Sequence, residues 1–329
     1  MRSAIAALIW LAAPAVVFAQ PGDAPKPQAM APGVWMIPGS FRPNRQPDGN
    51  TVVFETLAGL VVMDTGRHAW QRQAILDFAK SRPGGIAAIV NSHWHLDHVS
   101  GNPELKRAYP HARVYASAAI DEALTGFLAK SVAEAQPYLT SGKLPPETLE
   151  DLRNDTATIE NGAALKPDVA IARSRSLRIG GRTLRLNLAA DAATAGDVWV
   201  YDRKSGVVAT GDLVTLPAAF LDTACPEGWR AALDAIWATP FTTAIPGHGA
   251  PMTREGFASY RAAFTALIDC AHSDAAKSVC ASQWVGNVGP LLGDDARERL
   301  RAQGMTEYYV DAVLRAKSGA GAECRTAVS

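Results

Sequence analysis

The chain has no excess of charge of either sign: lysine plus arginine and aspartate plus glutamate each number 32, a formal net charge of zero. That balance lacks the electrostatic footprint of a nucleic-acid partner or of binding to an anionic membrane surface. Past its N-terminus the sequence has no apolar run of spanning length, so no membrane span is expected in the mature chain. No Gly-x-Ser-x-Gly or comparable nucleophile motif appears. Cysteine is scarce, four residues in 329. What remains is 48% apolar and 19% charged, ordinary globular composition with ample chain to bury a core.

The N-terminus is a different object. Arg2 precedes an apolar run from Ile5 to Phe18, and Val17-Phe18-Ala19 has small-x-small cleavage geometry. Residues 1–19 are therefore expected to be a secretory signal peptide, too short for a spanning helix. Residues 20–31, polar and without an apolar period, are expected to form a flexible tether. The mature protein is expected to be periplasmic or secreted, and export permits disulfides. Cys270 and Cys280, ten residues apart, are expected to be bridged, a loop contributing roughly 2–3 kcal/mol by the chain-entropy model. Cys225 reads either as a second bridge with Cys324 or as a metal ligand or nucleophile.

Three of the seven histidines fall within six residues, in Ser92-His93-Trp94-His95-Leu96-Asp97-His98. The apolar run Ile86–Val90 just before them reads as a buried strand, so the cluster sits on the loop that leaves it. Neutral imidazoles and a carboxylate crowded this closely suit a divalent cation, zinc first. Without an ion they would be costly to desolvate, and protonated imidazoles would repel one another.

His93-x-His95-x-Asp97-His98 after a hydrophobic strand resembles the signature of the metallo-β-lactamase fold superfamily, in family order over roughly residues 33–250. The resemblance implies an α/β fold, an αββα sandwich of two mixed β-sheets flanked by helices, over residues 32–252. It implies that Asp64-Thr65-Gly66 buttresses the metal loop, that Asp212 in Gly211-Asp212 is the bridging carboxylate, and that His248 in Gly247-His248-Gly249 is a ligand. It also exposes a departure. Where the family has His-Thr-x-Gly-Asp, this chain has Ala193-Thr194-Ala195-Gly196-Asp197, with alanine at the histidine position. Asp97, His98 and His248, sharing Asp212, are then expected to hold one tight zinc ion. A weaker second site rests on His93 and His95, with Asp191 as a candidate third ligand.

Elsewhere residues 69–80 read as a helix, and residues 177–179 and 183–188 as a hairpin around Gly180-Gly181. Ser117 is expected to cap one helix whose apolar face includes Ile120, Leu124, Phe127, Leu128 and Val132. Residues 117–172 read as a helical insertion against the active-site face or as a layer closing the core. Residues 253–329 read as a helical C-terminal extension, with Thr306 capping its last run and no candidate chemistry.

The expected function is an exported zinc-dependent hydrolase. A zinc-bound hydroxide, oriented by the ligand Asp97, would attack a β-lactam, lactone or other ester-like carbonyl. A periplasmic metal-binding accessory protein without turnover is the reading from another class. Trp94, Phe41 and Phe220 are candidates for an apolar substrate wall, each equally readable as core; the small-molecule substrate and the oligomeric state stay open.

Overall fold

Alternation of side chains decides which way each strand faces. In β2 (Val34–Ile37), Val34 and Met36 enter the core between two sheets, while Trp35 and Ile37 join the cluster on the opposite face. A sheet apolar on both faces needs two partners, here a second sheet and a layer of helices. The computed structural model describes residues 24–316; the expected signal peptide and Cys324 lie outside them.

The first sheet runs in chain order: β1 (Gln28–Ala31), β2, β3 (Thr51–Thr56), β4 (Gly59–Met63), β5 (Ile86–Val90), β6 (Arg113–Ala116) and β7 (Val169–Ala170). It is antiparallel up to β4 and parallel from β4 onward. The second holds β8 (Arg175–Ile179), β9 (Arg182–Ala190), β10 (Gly196–Asp202), β11 (Val207–Thr215), β12 (Thr243–His248) and β13 (Met252–Thr253), neighbours in that order. Its β11–β12 pair is parallel and the others antiparallel. Phe54, Met63 and Val90 of the first sheet meet Leu186, Val200 and Ile245 of the second in the shared core.

Helices α1 (Ala69–Lys80), α2 (Leu96–Val99) and α3 (Asn102–Ala108) follow the first-sheet strands, with α1 and α3 covering that sheet's outer face. Between β6 and β7 come α4 (Ile120–Thr125), α5 (Phe127–Leu139) and α6 (Pro146–Glu160). The outer face of the second sheet is covered by α7 (Pro226–Trp237), α8 (Arg254–Ala271), α9 (Lys277–Leu292) and α10 (Ala296–Tyr309). This is the expected αββα sandwich with C-terminal helices. No helix among the described residues is long and apolar enough to cross a membrane.

Several local expectations are corrected. Residues 28–31, inside the expected tether, form edge strand β1, held by backbone pairing to β2, which needs no apolar period. The helix expected after Ser117 breaks at Gly126 into α4 and α5, and Ser117 instead donates to the Gly196 carbonyl at 2.6 Å, tying the two sheets together. Thr306 lies buried inside α10, whose N-cap is Asp295, accepting from the Arg297 amide at 2.9 Å. Cys270 and Cys280 are bridged as expected. Cys225 is also disulfide-bonded, which removes it as a ligand or nucleophile.

The helices between β6 and β7 make two kinds of contact. Ile120, Ala123, Leu128 and Leu165 pack on Trp94, Leu96 and Val99, while α6 docks on the loops beside the histidine cluster through buried charge. Asp151 accepts from Arg45 at 2.7 Å and lies 3.1 Å from Nε2 of His68, whose Nδ1 meets Asp48 at 2.8 Å. Asp155 pairs with Arg67, and Trp70 stacks on His68 with ring centres 4.1 Å apart.

Burial opposes charge on His68, but its hydrogen bonds to Asp151 and Asp48 outweigh that and raise its pKa. Burial likewise opposes ionisation of the two carboxyls, yet His68 holds both below their ordinary range. A raised imidazole stabilises the fold fully below its unfolded value of about 6.5 and loses that contribution as pH climbs through the folded value. His68→Gln is therefore expected to cost roughly 3 kcal/mol near pH 6 and less near pH 9. Thermal melts at the two pH values check this; an equal loss at both would contradict it.

Candidate metal centre

The site begins at the end of β4, where Asp64 holds a left-handed φ of 65°. Its carboxylate accepts from the Ser92 amide and hydroxyl, both at 2.7 Å, and meets Nδ1 of His98 at 2.9 Å. A carboxylate only accepts, so His98 carries its proton on Nδ1 and turns the Nε2 lone pair away from Asp64. The Ser92 hydroxyl has spent its hydrogen on Asp64, so at 2.9 Å from Nδ1 of His93 it accepts. His93 thus also presents Nε2, a buried nitrogen with no hydrogen-bond partner.

The ligand atoms arrive from both sheets. His93, His95, Asp97 and His98 leave the end of β5, Asp212 lies within β11, and His248 ends β12. Glycines permit the approach: a Cβ on Gly247 would lie 1.9 Å from Asp212 Oδ1, and one on Gly49 would lie 2.4 Å from the His98 ring. Asn50 spans the sandwich to fix His248, donating to the carbonyls of Pro246 at 3.0 Å and Gly249 at 2.9 Å.

The resulting spacing fits a divalent ion. His98 Nε2 lies 3.2 Å from Asp212 Oδ1, 3.5 Å from Asp97 Oδ2 and 3.3 Å from His248 Nε2. His248 Nε2 lies 2.9 Å from Asp97 Oδ2 and 3.6 Å from Asp212 Oδ1. Ligands about 2.0–2.1 Å from one zinc ion stand about 3.3 Å apart. Asp212 turns Oδ1 to this cluster and Oδ2 towards His93 Nε2, 3.7 Å away, the posture of a bridging carboxylate. Two ligand groups result: Asp97, His98 and His248; and His93, His98 and Asp212. Buried Asp212 Oδ1 faces two imidazole nitrogens, His98 Nε2 at 3.2 Å and His248 Nε2 at 3.6 Å, a crowding of ligand atoms that an ion between them would relieve.

Electrostatics agree. Burial pushes His93 well below its ordinary value and His95 down to about 4, so both imidazoles are neutral at neutral pH. Burial also opposes charge on His98 and His248, but Asp212 and Asp97 outweigh it and raise both. The same pairs override burial in holding Asp97 and Asp212 below the usual carboxylate range.

Other candidates fall outside the cluster. His95 is in neither group; its Nε2 lies 3.0 Å from Thr223 Oγ1. Asp191, at the turn after β9 with φ of 51°, is in neither group. His68, the one other histidine near enough in sequence to be considered, is taken up by Asp48 and Asp151. His111 and His272 are exposed. Phe41 and Phe220 flank the site, their ring centres 5.4 Å from His248 and 5.1 Å from His95; Trp94 is core, against Phe127. Sequence reasoning missed Gly49, Asn50, Ser92, Arg67 and Thr223, whose long-range partners only the fold brings near; of these, Ser92 and Arg67 adjoined recognised motifs.

A family model described as the metallo-beta-lactamase superfamily matches residues 45–248, more than half of the chain. An atrochrysone carboxyl ACP thioesterase of Aspergillus fumigatus is 32% identical over 94 residues, 28% of this chain and 30% of that protein. The chain therefore spans under a third of the curated relative it matches. A metallo-beta-lactamase from Pontibacter korlensis superposes with a TM-score of 0.54 at 18% identity, over 73% of this chain and 99% of that one. The stereoselective inverting sec-alkylsulfatase of a Pseudomonas species gives 0.54 at 20% identity, over 87% of this chain and 50% of that one. At these identities the two structures speak for the fold alone.

Zinc calorimetry on wild type, Asp191→Ala and Ala193→His tests the two-group geometry. One tight ion is expected in wild type, unchanged by Asp191→Ala, with a second tight event only in Ala193→His. Two equally tight events in wild type would contradict it.

Proposed function

We propose, since the chain belongs to the metallo-β-lactamase superfamily, that it is an exported metal-dependent hydrolase of an ester-like carbonyl. The observation carrying this reading is the spacing of Asp97, His98, Asp212 and His248, whose atoms stand 2.9–3.6 Å apart in five measured pairs. A bound divalent ion would supply acidity to a water molecule near neutral pH and polarise the substrate carbonyl.

The chain's own residues do the rest. Asp97 points Oδ2 into the cluster, while Oδ1 lies 3.7 Å from the guanidinium of Arg67. Held between these, its carboxylate can orient the attacking water and take its proton. Phe41 and Phe220 offer apolar faces on either side, backed by Arg301 over Phe41 at 4.9 Å and Tyr309 against Phe220 at 5.9 Å. Apolar faces of this kind suit an acyl group with an apolar body. β-Lactams, lactones and thioesters all present such a carbonyl, and the name of the curated relative favours the thioester.

His98→Ala and Asp212→Ala are each expected to abolish turnover, at least a thousandfold in kcat/KM, while circular dichroism stays near wild type. Assays would use a chromogenic β-lactam, a lactone, an aryl ester and an acyl thioester on zinc-loaded protein. Wild-type activity in either variant would sink the hydrolase reading; stoichiometric zinc without turnover on any substrate would favour the accessory protein. The disulfides support export, which predicts a mature N-terminus at Gln20 in protein recovered from the periplasm. Protein retaining Met1 in the cytoplasm would contradict that.

A further inference from the structure

Ala193 stands where the superfamily resemblance expects a histidine, and its carbonyl is met by Thr223, from the segment between β11 and α7. Thr223 is 2% exposed, and its Oγ1 lies 3.0 Å from the Ala193 carbonyl oxygen and 3.0 Å from Nε2 of His95. A carbonyl only accepts, and a threonine hydroxyl has a single hydrogen. Were that hydrogen given to His95, the Ala193 carbonyl of a buried residue would lose its donor. All three groups are satisfied in one arrangement: Thr223 donates to Ala193, and His95 donates from Nε2 to Thr223. The lone pair of His95 is then on Nδ1.

His93 is set the opposite way, with its proton on Nδ1 towards Ser92 and Nε2 facing Asp212. The two histidines therefore offer unlike nitrogens. The Thr223 segment is itself splinted to the same loop: the Cys225 amide donates to the Ala192 carbonyl at 2.8 Å, and Cys225 is disulfide-bonded. Further up the segment, Trp284 donates to the Pro217 carbonyl at 2.8 Å. Consecutive carbonyls, Ala192 and Ala193, are thus gripped by Cys225 and Thr223.

We propose that Thr223 is a positioning residue that fixes His95 in its Nε2–H tautomer and presents Nδ1 as the ligand atom for a divalent ion on the His93 side. The absent histidine is answered by a splint on one of the remaining ligands. The metal half of this proposal rests on the metal-centre reading above. The tautomer is measurable without any metal, so the two fail separately.

The test uses the full-length chain labelled with 15N-histidine, examined by long-range 1H–15N spectra after chelator treatment and again with zinc. His95 signals are assigned by their loss in His95→Gln. In zinc-free wild type, His95 is expected as the Nε2–H tautomer, and zinc is expected to shift Nδ1. Thr223→Val, which keeps the shape without the hydroxyl, is expected to lose the single tautomer and to weaken the weaker zinc event about 10- to 100-fold. The tighter event should stay within about twofold, and Thr223→Ser should restore both readouts. An Nδ1–H tautomer in wild type, or an unchanged tautomer in Thr223→Val, would overturn the proposal. Should circular dichroism show Thr223→Val unfolded, Thr223→Ser decides: a folded serine variant lacking the Nε2–H tautomer overturns it. A correct tautomer whose Nδ1 never responds to zinc overturns the ligand assignment.

Discussion

One buried carboxylate organises the metal loop. Asp64 takes two hydrogen bonds from Ser92 and one from His98, directly fixing the tautomer of His98 and, through the Ser92 hydroxyl, that of His93. Its left-handed backbone at the end of β4 aims the side chain across to the loop leaving β5, the parallel neighbour of β4. Without that carboxylate nothing would select which nitrogen of either ring faces the cluster. The sandwich supplies the other half, because β11 and β12 lie side by side and deliver Asp212 and His248 to the same point.

The chain-local parts of this arrangement were legible in the sequence. The four candidate ligands between His93 and His98, the Gly-Asp at Asp212 and the Gly-His-Gly at His248 each carry a strand and a turn in their own neighbourhood. The supporting residues carry no such signal. Asn50 reaches residues about 200 positions away, and Thr223 meets His95 across 128, distances that only the folded chain closes. Helix ends were hard for a related reason. Ser117 and Thr306 have the chemistry of caps, but one was needed between the sheets and the other inside a packed helix face.

The helices outside the sandwich core bear on the site more than their composition suggested. On one side, α6 brings Asp151 and Asp155 to His68 and Arg67, and Arg67 stands beside Asp97. On the other, the C-terminal helices hold the segment that follows Asp212. The Thr215 amide donates to the Tyr260 hydroxyl at 3.1 Å, and Trp284 donates to the Pro217 carbonyl at 2.8 Å. Tyr309 packs on Phe220, which packs on His95. The tail in which the sequence offered no chemistry thus packs against a wall of the candidate site.

The facing atoms of Asp97, His98, Asp212 and His248 are the proposed resident site of a divalent ion. A crystal of the full-length protein grown with zinc, measured on either side of the zinc absorption edge, tests it most directly. An anomalous peak about 2.0–2.2 Å from those four atoms is the predicted result. A zinc-saturated crystal with no peak there, and with the four side chains unmoved, would contradict it.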